Sequence, residues 1–229
     1  MVDGVFFDLD GTLVDTAPDF HVILNQLLEE AGHPPLSAAA VRSQVSNGAR
    51  ALVTLGFGIA PGDPGFDQRL EQLLNAYEKR LDVDSTLFPG FDRVLDHLDA
   101  QNIPWGVITN KPVRFTLPVL RGLGLGDRVG PVICPDHVQH RKPDPEGLLM
   151  ACRATGADPA RSLYVGDHER DIAAGRNAGM LTVAATFGYI EAGDDPADWQ
   201  ADFMIDRAEE LLDILANNPF DSTRIRSPR

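Results

Sequence analysis

Cysteine is almost absent from this chain. Cys134 and Cys152 are the only two among 229 residues, too few for a disulfide framework, and each sits in an apolar stretch where a small buried thiol is the default. Basic residues are also scarce: 20 Lys and Arg stand against 34 Asp and Glu, a formal net charge of −14. That argues against a nucleic-acid partner, because such affinity rests on Lys and Arg neutralising phosphates. An anionic substrate therefore needs a local positive site, since charges beyond roughly 8 Å are screened at physiological salt. No apolar run approaches the roughly 18 to 20 residues of a membrane span, and no basic leader precedes the first apolar run at Val5. The expectation is a cytoplasmic protein with no membrane partner, monomeric or weakly dimeric.

What is present begins at Val5-Phe6-Phe7-Asp8-Leu9-Asp10-Gly11-Thr12. An apolar β-type run ends in two carboxylates one residue apart, followed by glycine and a small hydroxyl. Such a strand belongs in the middle of a sheet, with its acids at the carboxyl end, where open α/β folds place ligands. Two anions this close repel unless a cation lies between them or one takes a proton. On these residues alone, a metal site with a nucleophilic aspartate and an Asp-rich turn capping a strand are equally good readings.

After this strand, Thr16 reads as the N-cap of a helix that carries Phe20, Ile23, Leu24, Leu27 and Leu28 at helical spacing and stops at Gly32-His33-Pro34-Pro35. A second helix starts near Ser37, a short one follows Ser46-Asn47-Gly48-Ala49-Arg50, and Gly56 to Gly65 is loop. Phe66, Leu70, Leu73, Leu74, Tyr77 and Leu81 make a longer amphipathic helix. Residues 16–84 thus read as a small helical bundle without a strand. From Pro89 onward strands and helices alternate, with strands at Trp105–Ile108, Val132–Cys134, Leu163–Val165, Leu181–Ala185 and Phe203–Ile205, and a last helix from Ala208 to Leu215. Alternation of this kind means a parallel sheet with helices on both faces. The fold class is α/β, a Rossmann-like core formed by 1–15 and 85–229, with 16–84 inserted. The tail carries Arg224, Arg226 and Arg229 and reads as a mobile end.

Parallel strands align their carboxyl ends along one edge, so groups distant in sequence converge there. Those ends supply Asp8 and Asp10, Thr109 and Asn110, Lys142, and Asp167 with Asp171. Acids, a hydroxyl and one lysine are what metal-assisted phosphoryl transfer needs: hard oxygen ligands for magnesium, a carboxylate nucleophile, and donors for the phosphoryl oxygens. Here the chain resembles the haloacid dehalogenase superfamily in its phosphatase branch. Asp8-Leu9-Asp10-Gly11-Thr12-Leu13-Val14-Asp15 is similar to its first motif and Val107-Ile108-Thr109-Asn110 to its second. Arg141-Lys142-Pro143-Asp144-Pro145 is similar to the third and Val165-Gly166-Asp167-His168-Glu169-Arg170-Asp171 to the fourth.

The resemblance implies a phosphomonoester hydrolase with a helical cap over residues 16–84. Asp8 would form a phosphoaspartyl intermediate, and Asp10 would act as general acid and then base. Mg²⁺ would be held by Asp8, the Asp10 carbonyl and Asp167, with Asp171 supporting from behind. Thr109 and Lys142 would bind phosphoryl oxygens, with Asn110 beside them. His168 stands where the family has small or acidic residues and is not counted in the site. The substrate would be a small phosphorylated metabolite, selected by the insert. Its best candidate is Ser46-Asn47-Gly48-Ala49-Arg50, a turn supplying amide donors and an arginine for a carboxylate; a capped helix with a surface arginine reads equally well. A sugar-phosphate mutase and a non-catalytic binding protein are the alternatives, the latter requiring a missing catalytic group. Cys134, His137 and His140 have a zinc-like spacing without a fourth ligand and read as a loop with solvated histidines. Trp199 and Tyr189 read as packing residues.

Overall fold

The computed structural model describes residues 1–220; the basic tail residues Arg224, Arg226 and Arg229 lie outside them. The elements run in the order β1 (Gly4–Phe7), β2 (Val14–Asp15), α1 (Ala17–Glu30), α2 (Ala38–Arg42), α3 (Gly48–Phe57), α4 (Phe66–Glu78), β3 (Thr86–Leu87), α5 (Phe91–Ala100) and β4 (Trp105–Ile108). They continue with α6 (Val113–Gly122), β5 (Val132–Ile133), α7 (Glu146–Thr155), β6 (Ser162–Gly166), α8 (Glu169–Asn177), β7 (Leu181–Ala185), β8 (Phe203–Ile205) and α9 (Glu210–Ala216). Six strands form one parallel sheet in the order β5-β4-β1-β6-β7-β8.

The expected α/β class is what the chain adopts. β1 is central, paired to β4 through Val5↔Trp105 and to β6 through Phe6↔Tyr164. It is buried along its whole length, which is why it is apolar at every position rather than alternating. Strand side chains point alternately to the two faces. Val5 and Phe7 enter the larger core, which runs on into the helical insert through Phe20, Leu24 and Leu73. Phe6 enters a second core with Ile108, Leu148 and Tyr164. Because the chain lays β4 and β5 on one side of β1 and then crosses to place β6 on the other, a crevice opens at the carboxyl ends of β4, β1 and β6.

Residues 17–78 hold four α-helices joined by short loops and no strand. Two features at their ends escape the sequence reading. The helix expected to reach Leu81 stops at Glu78, because Arg80 turns back to pair with Asp19 at 3.0 Å. In addition, β2 and β3 form a two-residue antiparallel pair, Val14↔Leu87 and Asp15↔Thr86, that ties the two connections together; strands this short carry no alternation to detect. The Thr16 hydroxyl, expected to cap α1, donates instead to Asp10 Oδ1 at 2.6 Å. The amides of Thr16 and Ala17 donate to the Tyr189 hydroxyl, which itself donates to Asp15. Tyr189 is buried as expected, but its hydroxyl makes it more than a packing residue.

The wholly buried Asp19 locks the entry of the insert to its exit: its carboxylate accepts from the Asp84 and Ser85 amides and the Ser85 hydroxyl. Asp19→Ala should therefore destabilise the protein by about 2 kcal/mol, the cost of stranding buried donors. Chemical denaturation measures this, and an unchanged midpoint would refute the lock.

Candidate active site

Asp8 follows β1, Asp167 follows β6 and Asp171 lies in the first turn of α8, so two strand ends deliver three acids to one point. Their carboxylate oxygens lie within 4.8 Å of one another. One ammonium is set among them. Lys142 Nζ lies 2.8 Å from Asp8 Oδ1 and 2.7 Å from Asp171 Oδ1, and it donates to the Tyr164 hydroxyl at 2.9 Å. Tyr164 passes its own hydrogen to the Ile108 carbonyl at 2.8 Å. The ammonium thus lies between two carboxylates and a tyrosine hydroxyl.

Asp8 Oδ1 also accepts the Leu9 amide, which fixes the carboxylate plane. Asp167 accepts from the Thr12 hydroxyl at 2.8 Å, the Tyr189 amide at 2.9 Å and the Ser46 hydroxyl at 3.1 Å. Glycine makes this packing feasible. A Cβ on Gly11, whose φ is +86°, would lie 2.1 Å from Asp167 Oδ2, and one on Gly188 would lie 2.2 Å from Asp167 Cβ.

Three acids against one ammonium leave the cluster short of positive charge. Burial pushes Asp8 up to about 6, although Lys142 works against the shift. Burial pushes Asp167 up to about 7, with Asp8 and Asp171 adding to it. Burial disfavours the Lys142 charge, but Asp171 and Asp8 outweigh it and hold the ammonium above the usual lysine range. Asp171 Oδ2, fully buried, accepts no hydrogen bond among the described residues. Clustered hard oxygens, a charge deficit and an orphaned carboxylate oxygen fit a divalent cation such as Mg²⁺.

Asp10 stands apart from this cluster, its Oδ1 accepting from Thr16 and from Lys111 Nζ at 2.8 Å. Both aspartates open into a cavity of about 340 Å³. Thr109, Asn110 and Lys142 lie at its floor; Phe20, Leu70, Leu74 and Tyr77 of the insert form its far wall; and Arg50, Arg114, Arg141 and Arg170 line it as well.

Every residue expected in the site therefore borders this cavity or the acid cluster beneath it, though the insert residues are engaged in different ways. Ser46 spends its hydroxyl on Asp167. Asn47 donates to Glu191 Oε1 at 2.6 Å and accepts from Arg170 at 3.1 Å, so its side chain binds the core. Arg50 is exposed, with its guanidinium 5.6 Å from the Phe66 ring centroid. Gly48 opens α3 with a φ of +79°.

Lys111, Tyr164, His168 and Arg170 also belong here and were not among the expected residues. Lys111 directly follows Thr109-Asn110, and a lysine at a strand end was a usable signal. His168 borders the cavity and stacks on Trp199, while burial, helped by Arg170, lowers its pKa. Cys134, His137 and His140 do not form a ligand set among the described residues: His137 Nδ1 accepts the Cys134 amide, and His140 is exposed.

The family model for haloacid dehalogenase-like hydrolases matches residues 5–185. The chain belongs to this family. It is 44% identical over 93% of its length to a Pseudomonas putida protein named N-acetylmuramic acid 6-phosphate phosphatase, 95% of which is covered. It is 40% identical, again over 93% of its length, to a Xanthomonas campestris phosphoglycolate phosphatase, 96% of which is covered. The crystal structure of a predicted phosphoglycolate phosphatase from Haemophilus somnus superposes with a TM-score of 0.83 at 28% identity, covering 93% of this chain and 98% of that one. Among the described residues, no helix is long and apolar enough to cross a membrane.

Asp8 and Asp167 hold protons more tightly in the folded protein than at the ordinary value of 3.8. Between about pH 4 and about pH 7 the folded state carries the extra protons, so these groups withdraw stability as pH rises through that window. In EDTA, Tm should fall from about pH 5 to about pH 8, and fall less in Asp167→Asn. Equal falls in both proteins would contradict the assignment.

Proposed function

We propose that this phosphatase hydrolyses a small, carboxylate-bearing phosphate monoester, with N-acetylmuramic acid 6-phosphate the first candidate and 2-phosphoglycolate the second. The cavity carries this reading. Its volume of about 340 Å³ is within the range of about 300–1,000 Å³ usual for small-molecule sites. Its apolar wall suits the body of an acylated sugar, and its arginines suit a carboxylate. The 44% identity to the Pseudomonas putida phosphatase supports the same choice. The Xanthomonas campestris relative keeps the smaller substrate as the second reading.

In this proposal residues 16–84 act as a cap over a core formed by 1–15 and 85–229. Asp8, Asp167 and the Asp10 carbonyl would hold Mg²⁺, with Asp171 supporting through Lys142, and the bound ion would supply positive charge to the phosphoryl oxygens. The Asp8 carboxylate attacks phosphorus, the bond from phosphorus to the ester oxygen breaks, and Asp10 gives that oxygen its proton. Water then attacks the phosphorus of phosphorylated Asp8, Asp10 takes the water's proton, and inorganic phosphate leaves with the Asp8 carboxylate restored. Thr109 and Lys142 bind equatorial oxygens, and Lys142 also orients Asp8. No catalytic group is missing, which disfavours a purely binding role.

Asp8→Asn and EDTA should each abolish phosphate release from p-nitrophenyl phosphate. kcat/KM for N-acetylmuramic acid 6-phosphate should exceed that for 2-phosphoglycolate at least about tenfold, the discrimination that a few apolar contacts supply. Activity that survives Asp8→Asn would overturn the mechanism. Both substrate assignments fail if neither ester stands out from a general panel of phosphorylated metabolites.

A further inference from the structure

Lys111 is a buried cation that the reaction as written does not use. Its side chain is 6% exposed and its ammonium lies 2.8 Å from Asp10 Oδ1. The backbone beside it is fixed, since its amide donates to Thr109 Oγ1 and its carbonyl accepts from Thr116. What holds the other side of the ammonium comes from the insert. The ring centroids of Tyr77 on α4 and Phe20 on α1 lie 4.6 and 5.3 Å from Nζ, within cation–π range. These rings stack on each other with centroids 4.0 Å apart, and Tyr77 also packs on Phe115. The core supplies the lysine and the aspartate, while the insert supplies the aromatic wall against the lysine.

We propose that Lys111 is a positioning residue that holds Asp10 in its working orientation, and that Phe20 and Tyr77 make this hold depend on the insert being seated on the core. This inference rests on the reading of Asp10 as the group that protonates the ester oxygen. With Oδ1 taken by Lys111 and Thr16, Oδ2 accepts from no donor among the described residues and is the atom available to that oxygen. Thr16 stands at the entry to the insert, so both groups that grip Oδ1 answer to the insert's position. A buried ammonium cannot stay unpaired. With the insert lifted, water replaces the rings around Nζ and the side chain has no reason to remain extended against Asp10.

The test compares two esters of similar size. p-Nitrophenyl phosphate releases a stable phenolate that hardly needs a proton, whereas benzyl phosphate must release an alkoxide and does. In Lys111→Met, the ratio of kcat for benzyl to p-nitrophenyl phosphate should fall on the order of 30-fold or more, within the contribution general acids usually make. KM should change little. Lys111→Arg should recover part of the ratio, and Tyr77→Leu should lower it although the Tyr77 hydroxyl makes no hydrogen bond to Asp10. Asp10→Asn is the reference. If Asp10→Asn spares the ratio, the reading of Asp10 fails; if it lowers the ratio while Lys111→Met does not, this inference alone fails. Equal losses on both esters, or a rise in KM alone, would make Lys111 a structural or substrate-binding residue and overturn the proposal. Should Lys111→Met not fold, Lys111→Arg and Tyr77→Leu decide it by the same ratio.

Discussion

The Lys142 ammonium, shared by Asp8 and Asp171 and backed by the Tyr164 hydroxyl, is the interaction on which the rest of the site depends. Taking carboxylates out of water is costly unless cations and hydrogen bonds compensate, and this chain buries Asp167 and Asp171 completely, with Asp8 beside them. One lysine offsets only part of that charge. The elevated values of Asp8 and Asp167 express the remainder, which is the condition under which a divalent cation binds strongly at an oxygen cluster. An acidic protein can therefore act on anions: net charge is set by the surface, whereas the phosphoryl group meets only the local field.

The molecule divides its labour along the cavity. Its floor, at the ends of β1, β4 and β6, is polar, buried and built from backbone-fixed positions. Its far wall, on α1 and α4 with α3 beside them, is apolar with arginines nearby. Several contacts join the two halves: Ser46 to Asp167, Arg170 to Asn47, Asn47 to Glu191, and Lys111 to the Phe20–Tyr77 pair. Each crosses from core to insert within hydrogen-bonding or cation–π range. Because the insert touches an acid of the carboxylate cluster and the lysine that pairs with Asp10, its position and the state of these groups are physically linked.

Much of this was legible beforehand, and for identifiable reasons. β1 carries a continuous apolar run because it is covered on both faces, and Asp8 and Asp10 follow where that run ends. Thr109 and Asp167 announce themselves the same way. Features built from two distant pieces did not. The β2–β3 pair has two residues a side, the Thr16 hydroxyl abandons its own helix for Asp10, and the Tyr189 hydroxyl serves amides more than 170 residues away. Such partners leave no periodicity, because side-chain contact depends on how elements pack and not on their spacing along the chain.

Local order alone determined the α/β class, the helical stretch between two sheet-forming segments, and the acids, hydroxyl and lysine at the strand ends, since burial and backbone geometry act over a few neighbouring residues. Tertiary structure decided which charges share one ammonium, that Asn47 binds the core, and that Lys111 stands between Asp10 and two aromatic rings. The physical reason is distance: electrostatic and hydrogen-bonding partners are chosen across a few ångströms of space, and only the packed fold brings residues 10, 77 and 111 that close.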